Sequence, residues 1–225
     1  GMNDELRPLL GGESESYSDR LFSVIMNVVI VVLALVILMH VVVEPVGIIG
    51  TSMENGIHDG DTVVLGKLYF SPKRGDVVVI DDGERRIIKR VIAISGDKIG
   101  FVREDGDDNY EIALYRDKGY GFVKQNEPYI KEKMTNDSGS VFSAIKVADS
   151  FEDMVSGGKY VAVDSGKIVA LGDNRNDSSD SRRYGAFAFS DVVGKEIGAF
   201  DDKSFWKGFF DFFYRGASPA NNKGA

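Results

Sequence analysis

Arg86-Ile87-Ile88-Lys89-Arg90-Val91-Ile92-Ala93-Ile94 is a run of branched apolar side chains with a basic pair at its centre. Such a composition fits a buried, pleated strand better than a helix. At strand period two, Lys89 shares a face with Ile87, Val91 and Ala93, and the other face carries Ile88, Arg90, Ile92 and Ile94. Short β-branched runs recur on both sides of it, at Thr62–Leu65, Asp76–Ile80, Lys98–Val102, Lys159–Val163 and Lys167–Leu171. Turn signals separate them: His58-Asp59-Gly60-Asp61, Lys73-Arg74-Gly75, Asp81-Asp82-Gly83, Ser95-Gly96-Asp97 and Asp164-Ser165-Gly166. Asp82-Gly83 is a hairpin turn, because glycine accepts positive φ. The stretch from Glu104 to Gly158 is more polar and less periodic, and it reads as a variable insertion or lid with a few irregular strands. The body is mostly β, with no internal repeat and no long amphipathic helix.

Upstream of that body, Leu21 to Val43 is a run of 23 residues without Asp, Glu, Lys or Arg. As a helix it is roughly 35 Å long at about 1.5 Å per residue, enough to span a bilayer. A core helix rarely carries so long an uncharged run. A cleaved secretory signal fits poorly, since the segment before the run is net acidic and Val43-Glu44-Pro45-Val46-Gly47 lacks a small-x-small cleavage pattern. The run reads as an uncleaved, single-pass membrane anchor. Arg7 and Arg20 precede it, and no Lys or Arg occurs from Glu44 to Val64, which favours a cytoplasmic amino end and an exported body. Gly1 before Met2 reads as a cloning remnant, and the rest of residues 1–20 as a mobile tail. The expected organisation is a tail at 1–20, a transmembrane helix at 21–43, a β domain at 44–200 with its insertion at 104–158, and an aromatic segment and tail at 201–225.

Composition narrows the chemistry. The chain has 225 residues and a net charge of −8, so a broad basic face for nucleic acid is not expected. Cysteine is absent, which excludes disulfides, thiolate metal sites and a cysteine nucleophile. His40 and His58 are the only histidines, too few for a histidine-rich zinc site, and a Ser-His triad would need His58. No cofactor is expected.

Three segments carry possible chemistry. Gly50-Thr51-Ser52-Met53 lies just past the membrane exit, and its serine matters only with a base, because an unaided hydroxyl is a poor nucleophile. Lys89 sits among branched apolar neighbours, where desolvation disfavours the ammonium and lets the amine act as a base. A lysine on a strand can equally carry its charge out to water. Leu171-Gly172-Asp173-Asn174-Arg175, followed by Asp177-Ser178-Ser179-Asp180-Ser181-Arg182, is either a hydrogen-bonded loop supporting a site or a solvated turn.

Taken in order along the chain, these segments resemble the bacterial type I signal peptidases, membrane-bound serine proteases with a Ser-Lys dyad. The matching stretches are the span, Ser52-Met53, Gly60-Asp61, Arg74-Gly75-Asp76-Val77-Val78, Lys89-Arg90-Val91 and Gly96-Asp97-Lys98. The series closes with Gly172-Asp173-Asn174-Arg175, Ser178, Asp180-Ser181-Arg182 and Val193-Gly194-Lys195. The resemblance covers about residues 20–200, the insertion only loosely. It implies a coiled antiparallel β-sheet or barrel domain behind one transmembrane helix. It further implies an enzyme that removes signal peptides from exported preproteins, cutting after small-x-small motifs at the outer membrane face.

Residue by residue, the resemblance makes Ser52 the nucleophile and Lys89 its general base. Ser178 would hydrogen-bond and orient the lysine amine, Asp180 and Arg182 would form a supporting ion pair, and Arg90 is a further supporting candidate. The Ser52 amide would be one oxyanion donor. Ile48, Gly50, Met53, Ile87 and Ile88 would line the substrate pockets, with the substrate adding as an extended strand near Ile48 and the strand of Ile88. Partners are therefore preproteins and the bilayer, with no nucleic acid.

The chain departs from the common pattern in places. Glu54-Asn55-Gly56-Ile57 replaces the usual sequence after Ser-Met, in which Pro-Thr follows after one residue. Gly50 stands where some members place a serine hydroxyl as second oxyanion donor, and Arg182-Arg183-Tyr184 carries an extra basic residue. Alternative readings are a self-cleaving repressor-type Ser-Lys protease and an inactive, membrane-anchored binding protein on the same scaffold. The span argues against the first and the paired Ser52 and Lys89 against the second. Arg74-Gly75-Asp76 reads as a turn entering a strand. A calcium loop at Asp105, Asp107 and Asn109 is rejected, because Tyr110 replaces the needed glycine and Arg116 the bidentate glutamate. Phe205, Trp206, Phe209, Phe210, Phe212, Phe213 and Tyr214, with Lys207 and Arg215 beside them, suit either packing on the body or an interfacial anchor.

Overall fold

The computed structural model describes residues 16–54, 56–68, 71–105, 110–201, 208 and 220–221. The aromatic run from Phe205 to Tyr214 lies outside the described residues. The chain divides into two compact units, the first ending at Val41 and the second beginning at Val42.

One helix, α1 (Tyr17–Val42), accounts for all described residues of the first unit after Ser16. Asp19 lies in its first turn, where an acidic side chain meets the positive end of the helix dipole. None of its residues is buried, and it is long and apolar enough to cross a membrane by length and composition. The apolar run predicted a helix over 21–43. The helix starts earlier, at Tyr17, and yields Val43 to the first strand.

In the second unit the strands run, in chain order, β1 (Val43–Ile49), β2 (Thr62–Gly66), β3 (Val77–Asp81), β4 (Arg86–Ile94), β5 (Lys98–Asp105), β6 (Tyr110–Asp117) and β7 (Phe122–Lys124). They continue with β8 (Val147–Ala148), β9 (Tyr160–Ala162), β10 (Lys167–Leu171), β11 (Phe187–Ala188), β12 (Val192–Phe200) and β13 (Ala220–Asn221). Two short helices intervene, α2 (Phe151–Ser156) and α3 (Ser181–Tyr184).

One sheet has the order β11-β10-β4-β3-β12-β2-β1-β13, and the other β7-β6-β5-β8 with β9 also on β5. Pairing is antiparallel except for β13 on β1 and β8 on β5. The larger sheet does not close into a barrel among the described residues, because β11 and β13 remain its ends. β3 and β4 form the expected hairpin, from Val77 opposite Arg90 to Asp81 opposite Arg86, and Gly83 takes φ +88° in the turn. On its other side β4 pairs with β10, from Ile94 opposite Ile168 to Arg90 opposite Leu171.

β4 is buried on both faces, which is why its sequence is apolar at nearly every position. One face contributes Ile88 to a cluster with Val46, Ile48, Met53, Val63, Leu65 and Val79. The other contributes Ile87 and Val91 to a cluster with Val78, Ile80, Ile168, Ala170 and Phe187. Each such side chain stabilises by about 1.5–3 kcal/mol when fully buried. The end of β4 continues into a third cluster, in which Ile92 and Ala93 meet Phe101 and Leu114 of the second sheet.

The polar stretch after Glu104 is more regular than its sequence predicted. β6 pairs with β5 along its whole length, from Ile99 opposite Arg116 to Asp105 opposite Tyr110. β12 is also a full central strand between β2 and β3, although Gly194, Gly198 and two charges interrupt its pattern and bulges bend it.

Candidate active site

β1 delivers the chain into a tight turn holding Thr51, Ser52 and Met53. Gly50 takes φ +105°, a conformation that side-chain-bearing residues rarely adopt, and its amide donates to Asp59 Oδ1 at 2.7 Å. A serine here would be strained, which gives a physical reason for the glycine that departs from the family pattern. Ser52 and Met53 are each 1% exposed.

Lys89 enters from β4, is also buried, and places Nζ 2.5 Å from Ser52 Oγ. Burial disfavours its ammonium, and Arg182 repels it, while Asp180 pulls the other way. The balance lowers its pKa to about 8. Near that pH a substantial fraction of the amine is neutral, and a neutral amine at this distance can accept the serine proton.

The loop after β10 supports this pair. Asp180 is fully buried and accepts from the Gly172 amide at 3.0 Å and from Arg182 Nε at 2.9 Å. Burial alone would raise the Asp180 carboxyl, but the Arg182 guanidinium and the Gly172 amide outweigh it and hold it below its ordinary value. Gly172 is in close contact on its open side. A Cβ there would lie 2.2 Å from Ser178 Oγ and 2.6 Å from the Ser52 carbonyl oxygen. Ser178 therefore stands next to the Ser52 backbone. Its hydroxyl is buried and makes no hydrogen bond among the described residues, so the bond expected from Ser178 to the lysine amine is not formed in this structure.

Of the expected pocket residues, Ile48, Met53 and Ile88 meet in one apolar cluster, and Gly50 lies between Ile48 and the turn. Ile87 does not join them. Strand alternation sends it into the cluster on the opposite face. Asp180 and Arg182 form the expected pair, with Oδ2 and the terminal guanidinium nitrogen 2.8 Å apart. Arg90 instead pairs with Asp173, donating to its two oxygens at 2.8 and 2.6 Å.

Several residues around Ser52 were given no role in the sequence reading. The Asn174 amide donates to the Ser52 carbonyl at 3.0 Å, and its side chain donates to the Thr51 carbonyl at 3.3 Å. Asp177 accepts from the Thr51 hydroxyl at 3.3 Å. Arg175 is buried and donates to Glu127 through both terminal nitrogens, at 2.7 and 2.6 Å. Tyr129 donates to Glu127 and lies under the Arg90 guanidinium at 4.4 Å. Asn176 accepts from the Thr135 and Asn136 amides at 2.8 and 3.1 Å. Asp173, Asn174 and Arg175 stood inside a motif already singled out, whereas nothing in the sequence marked Glu127 or Tyr129.

Among the described residues no group of three or more His, Asp or Glu is placed to hold a metal. The arrangement offers a buried hydroxyl against a base of lowered pKa, suited to nucleophilic catalysis.

Comparison with known proteins places this geometry in context. The profile of a family described as signal peptidase, peptidase S26, matches residues 21–200. Signal peptidase IB of Staphylococcus aureus (strain Mu50 / ATCC 700699) is 27% identical over 203 residues, covering 88% of this chain and 95% of that protein. Signal peptidase I of Bacillus licheniformis is 30% identical over 175 residues, covering 76% of this chain and 82% of that protein. The crystal structure of a signal peptidase I from Enterococcus faecalis V583 covers 56% of this chain and 97% of its own, with 24% identity and a TM-score of 0.37. With most of its length matched to that profile, the chain belongs to the signal peptidase family, peptidase S26, and is a serine peptidase.

Proposed function

We propose that the chain is a membrane-anchored signal peptidase that cuts exported preproteins after small-x-small motifs by a Ser52-Lys89 dyad. The observation that carries this reading is the 2.5 Å contact between Lys89 Nζ and Ser52 Oγ, both groups being withdrawn from solvent. In the neutral form the amine takes the hydroxyl proton as Oγ adds to the substrate carbonyl, and the protonated amine then gives that proton to the leaving nitrogen. The acyl-enzyme is hydrolysed by water activated by the same amine. The Ser52 amide stabilises the oxyanion. Asp180, Arg182, Arg90 and Ser178 hold the surroundings of the lysine, and Ile48, Gly50, Met53 and Ile88 shape shallow apolar pockets for small side chains.

The helix anchors the enzyme in the bilayer with its amino end cytoplasmic, so the body works at the outer face. The test is processing of a preprotein with an Ala-x-Ala site by the detergent-solubilised chain, comparing wild type with Ser52→Ala. Wild type is expected to release the signal peptide and Ser52→Ala to lose activity by orders of magnitude. A Ser52→Ala protein that processes at the wild-type rate overturns the reading.

A further inference from the structure

β1 ends at Ile49, and Gly50 turns the chain towards Ser52. Glycine supplies the φ of +105° but brings no side chain to keep it there. The conformation of the turn therefore depends on what grips the neighbouring peptide groups.

The loop His58-Asp59-Gly60-Asp61, which read only as a turn signal, grips them from one side. The Ile48 amide donates to the Asp61 carbonyl at 2.8 Å, and the Ile48 carbonyl accepts from the Gly60 amide at 3.0 Å. Asp61 is buried, and its carboxylate accepts from the His58 amide at 2.8 Å, which ties the loop together. On this seat Asp59 Oδ1 accepts from the Gly50 amide at 2.7 Å, the length of a charge-assisted bond. A trans peptide points its N–H and C=O opposite ways, so gripping the Gly50 N–H also fixes the Ile49 carbonyl and the plane between them. From the other side, the Thr51 carbonyl accepts from the Glu54 amide at 3.0 Å and from the Asn174 side chain at 3.3 Å, which by the same rule aims the Ser52 amide. The turn is thus gripped at both ends, by Asp59 before the serine and by Asn174 after it.

We propose that Asp59 is a positioning residue for the peptidase reaction, its carboxylate holding the Gly50 amide and so keeping the Ser52 amide and hydroxyl in line for attack. The proposal rests on the reading of Ser52 as nucleophile under Proposed function. The β1–β2 ladder from Val43 to Gly47 and the two Ile48 bonds do not use the Asp59 side chain, so its loss leaves the strand in place and frees only the turn. A nucleophile and an oxyanion donor that wander are felt in the transition state more than in substrate binding. The kinetic consequence is a lower kcat at nearly unchanged KM.

The test uses the full chain in detergent with a soluble Ala-x-Ala peptide. Asp59→Ala is expected to lower kcat about 10–100-fold, with KM within about twofold of wild type, as for a misplaced reacting group. Asp59→Asn keeps an oxygen that can accept from the Gly50 amide, and it is expected to retain kcat within about threefold of wild type. Thermal unfolding of both variants is expected to match wild type. Hydrogen exchange at the Gly50 amide is expected to be slow in wild type and Asp59→Asn and fast in Asp59→Ala. A wild-type kcat in Asp59→Ala, or an Asp59→Asn protein as slow as Asp59→Ala, overturns the proposal, and so does a loss confined to KM. If wild type itself does not cleave the peptide, the peptidase reading fails by itself. Gly50 exchange unchanged in Asp59→Ala then shows separately that Asp59 does not hold the turn.

Discussion

Arg175, in the loop after β10, closes a two-pronged ion pair on Glu127, a residue from the polar stretch between the second sheet and that loop, and both side chains are withdrawn from water. Arg175 also donates from Nε to the Gly172 carbonyl at 3.0 Å. Gly172 in turn sits against Ser178 Oγ and the Ser52 backbone. One chain of contacts therefore runs from Glu127 to Ser52. Through Glu127 the polar stretch, which read as an insertion or lid, braces the loop after β10.

Breaking a buried pair on one side leaves the other charge stranded, at about 3–5 kcal/mol. Glu127→Ala is thus expected to destabilise the second unit by that order and to lower kcat through a displaced Gly172. Glu127→Ala with Arg175→Met removes both charges and is expected to regain much of the stability. Chemical unfolding of the four members of this double-mutant cycle measures the coupling. A Glu127→Ala cost below about 1 kcal/mol would remove the brace from the account.

Lys89 makes a second, signed prediction. Its pKa of about 8 in the fold lies below the value of about 10.5 for an unburied lysine. Between those values the unfolded chain binds the extra proton, so stability rises with pH through this window and the penalty is fully present below pH 8. Activity is expected to rise with pH through about 8, as the amine becomes neutral. Lys89→Met is expected to abolish cleavage while stabilising the fold by about 1–3 kcal/mol at pH 7, with the gain shrinking towards pH 10.5. Thermal unfolding of both proteins across pH 6–10 gives the answer. A gain that stays constant over that range would show that the lysine is not the titrating group.

The two outcomes differ in how far the sequence foretold them. β4, with branched residues at almost every place, announced a buried strand, but it left open whether Lys89 would be desolvated or carry its charge out to water. The turn at Asp82-Gly83 announced the hairpin that sets its register. β12 was hidden because Gly194 and Gly198 break the apolar pattern, and its place between β2 and β3 follows from long-range pairing. Ile87, expected beside Ile88, packs in a different cluster because neighbours along a strand face opposite ways. Glu127 was invisible: an acidic residue in a polar stretch looks solvated until the fold brings Arg175 to it.

Gly172 tests how tightly the loop after β10 holds the nucleophile. Gly172→Ala would press its methyl group to 2.2 Å from Ser178 Oγ and 2.6 Å from the Ser52 carbonyl, so something must move. The serine side chain can yield and the backbone cannot do so cheaply. Gly172→Ala is therefore expected to cut kcat at least a hundredfold, and adding Ser178→Ala is not expected to restore it. Ser178→Ala alone removes a buried, unpaired hydroxyl, so stability should hold within about 1 kcal/mol or improve. Its kcat should still fall if the hydroxyl orients the neutral amine during turnover. Recovery of kcat in Gly172→Ala with Ser178→Ala would show that the backbone contact is not the constraint.

The apolar cluster of Ile48, Met53 and Ile88 sets the last prediction, on substrate choice. These side chains are almost wholly buried, so any pocket they border under the proposed function is shallow, with walls already packed against the core. An alanine side chain fits such a site, while a leucine would push Ile88 or Met53 off its rotamer at about 1–3 kcal/mol. Replacing the alanine before the cleaved bond with leucine is expected to lower kcat/KM about a hundredfold or more. Ile88→Ala opens space in that cluster and is expected to narrow the alanine-to-leucine ratio at least tenfold. The stability cost of about 2–5 kcal/mol for losing those methyl groups makes Ile88→Val the milder control, with a smaller shift in the same direction. Ile87→Ala is the informative contrast, because Ile87 packs in the cluster on the opposite face. It should cost similar stability and leave the ratio unchanged. Equal shifts from Ile87→Ala and Ile88→Ala would mean that loosening of the fold, and not pocket shape, governs the preference.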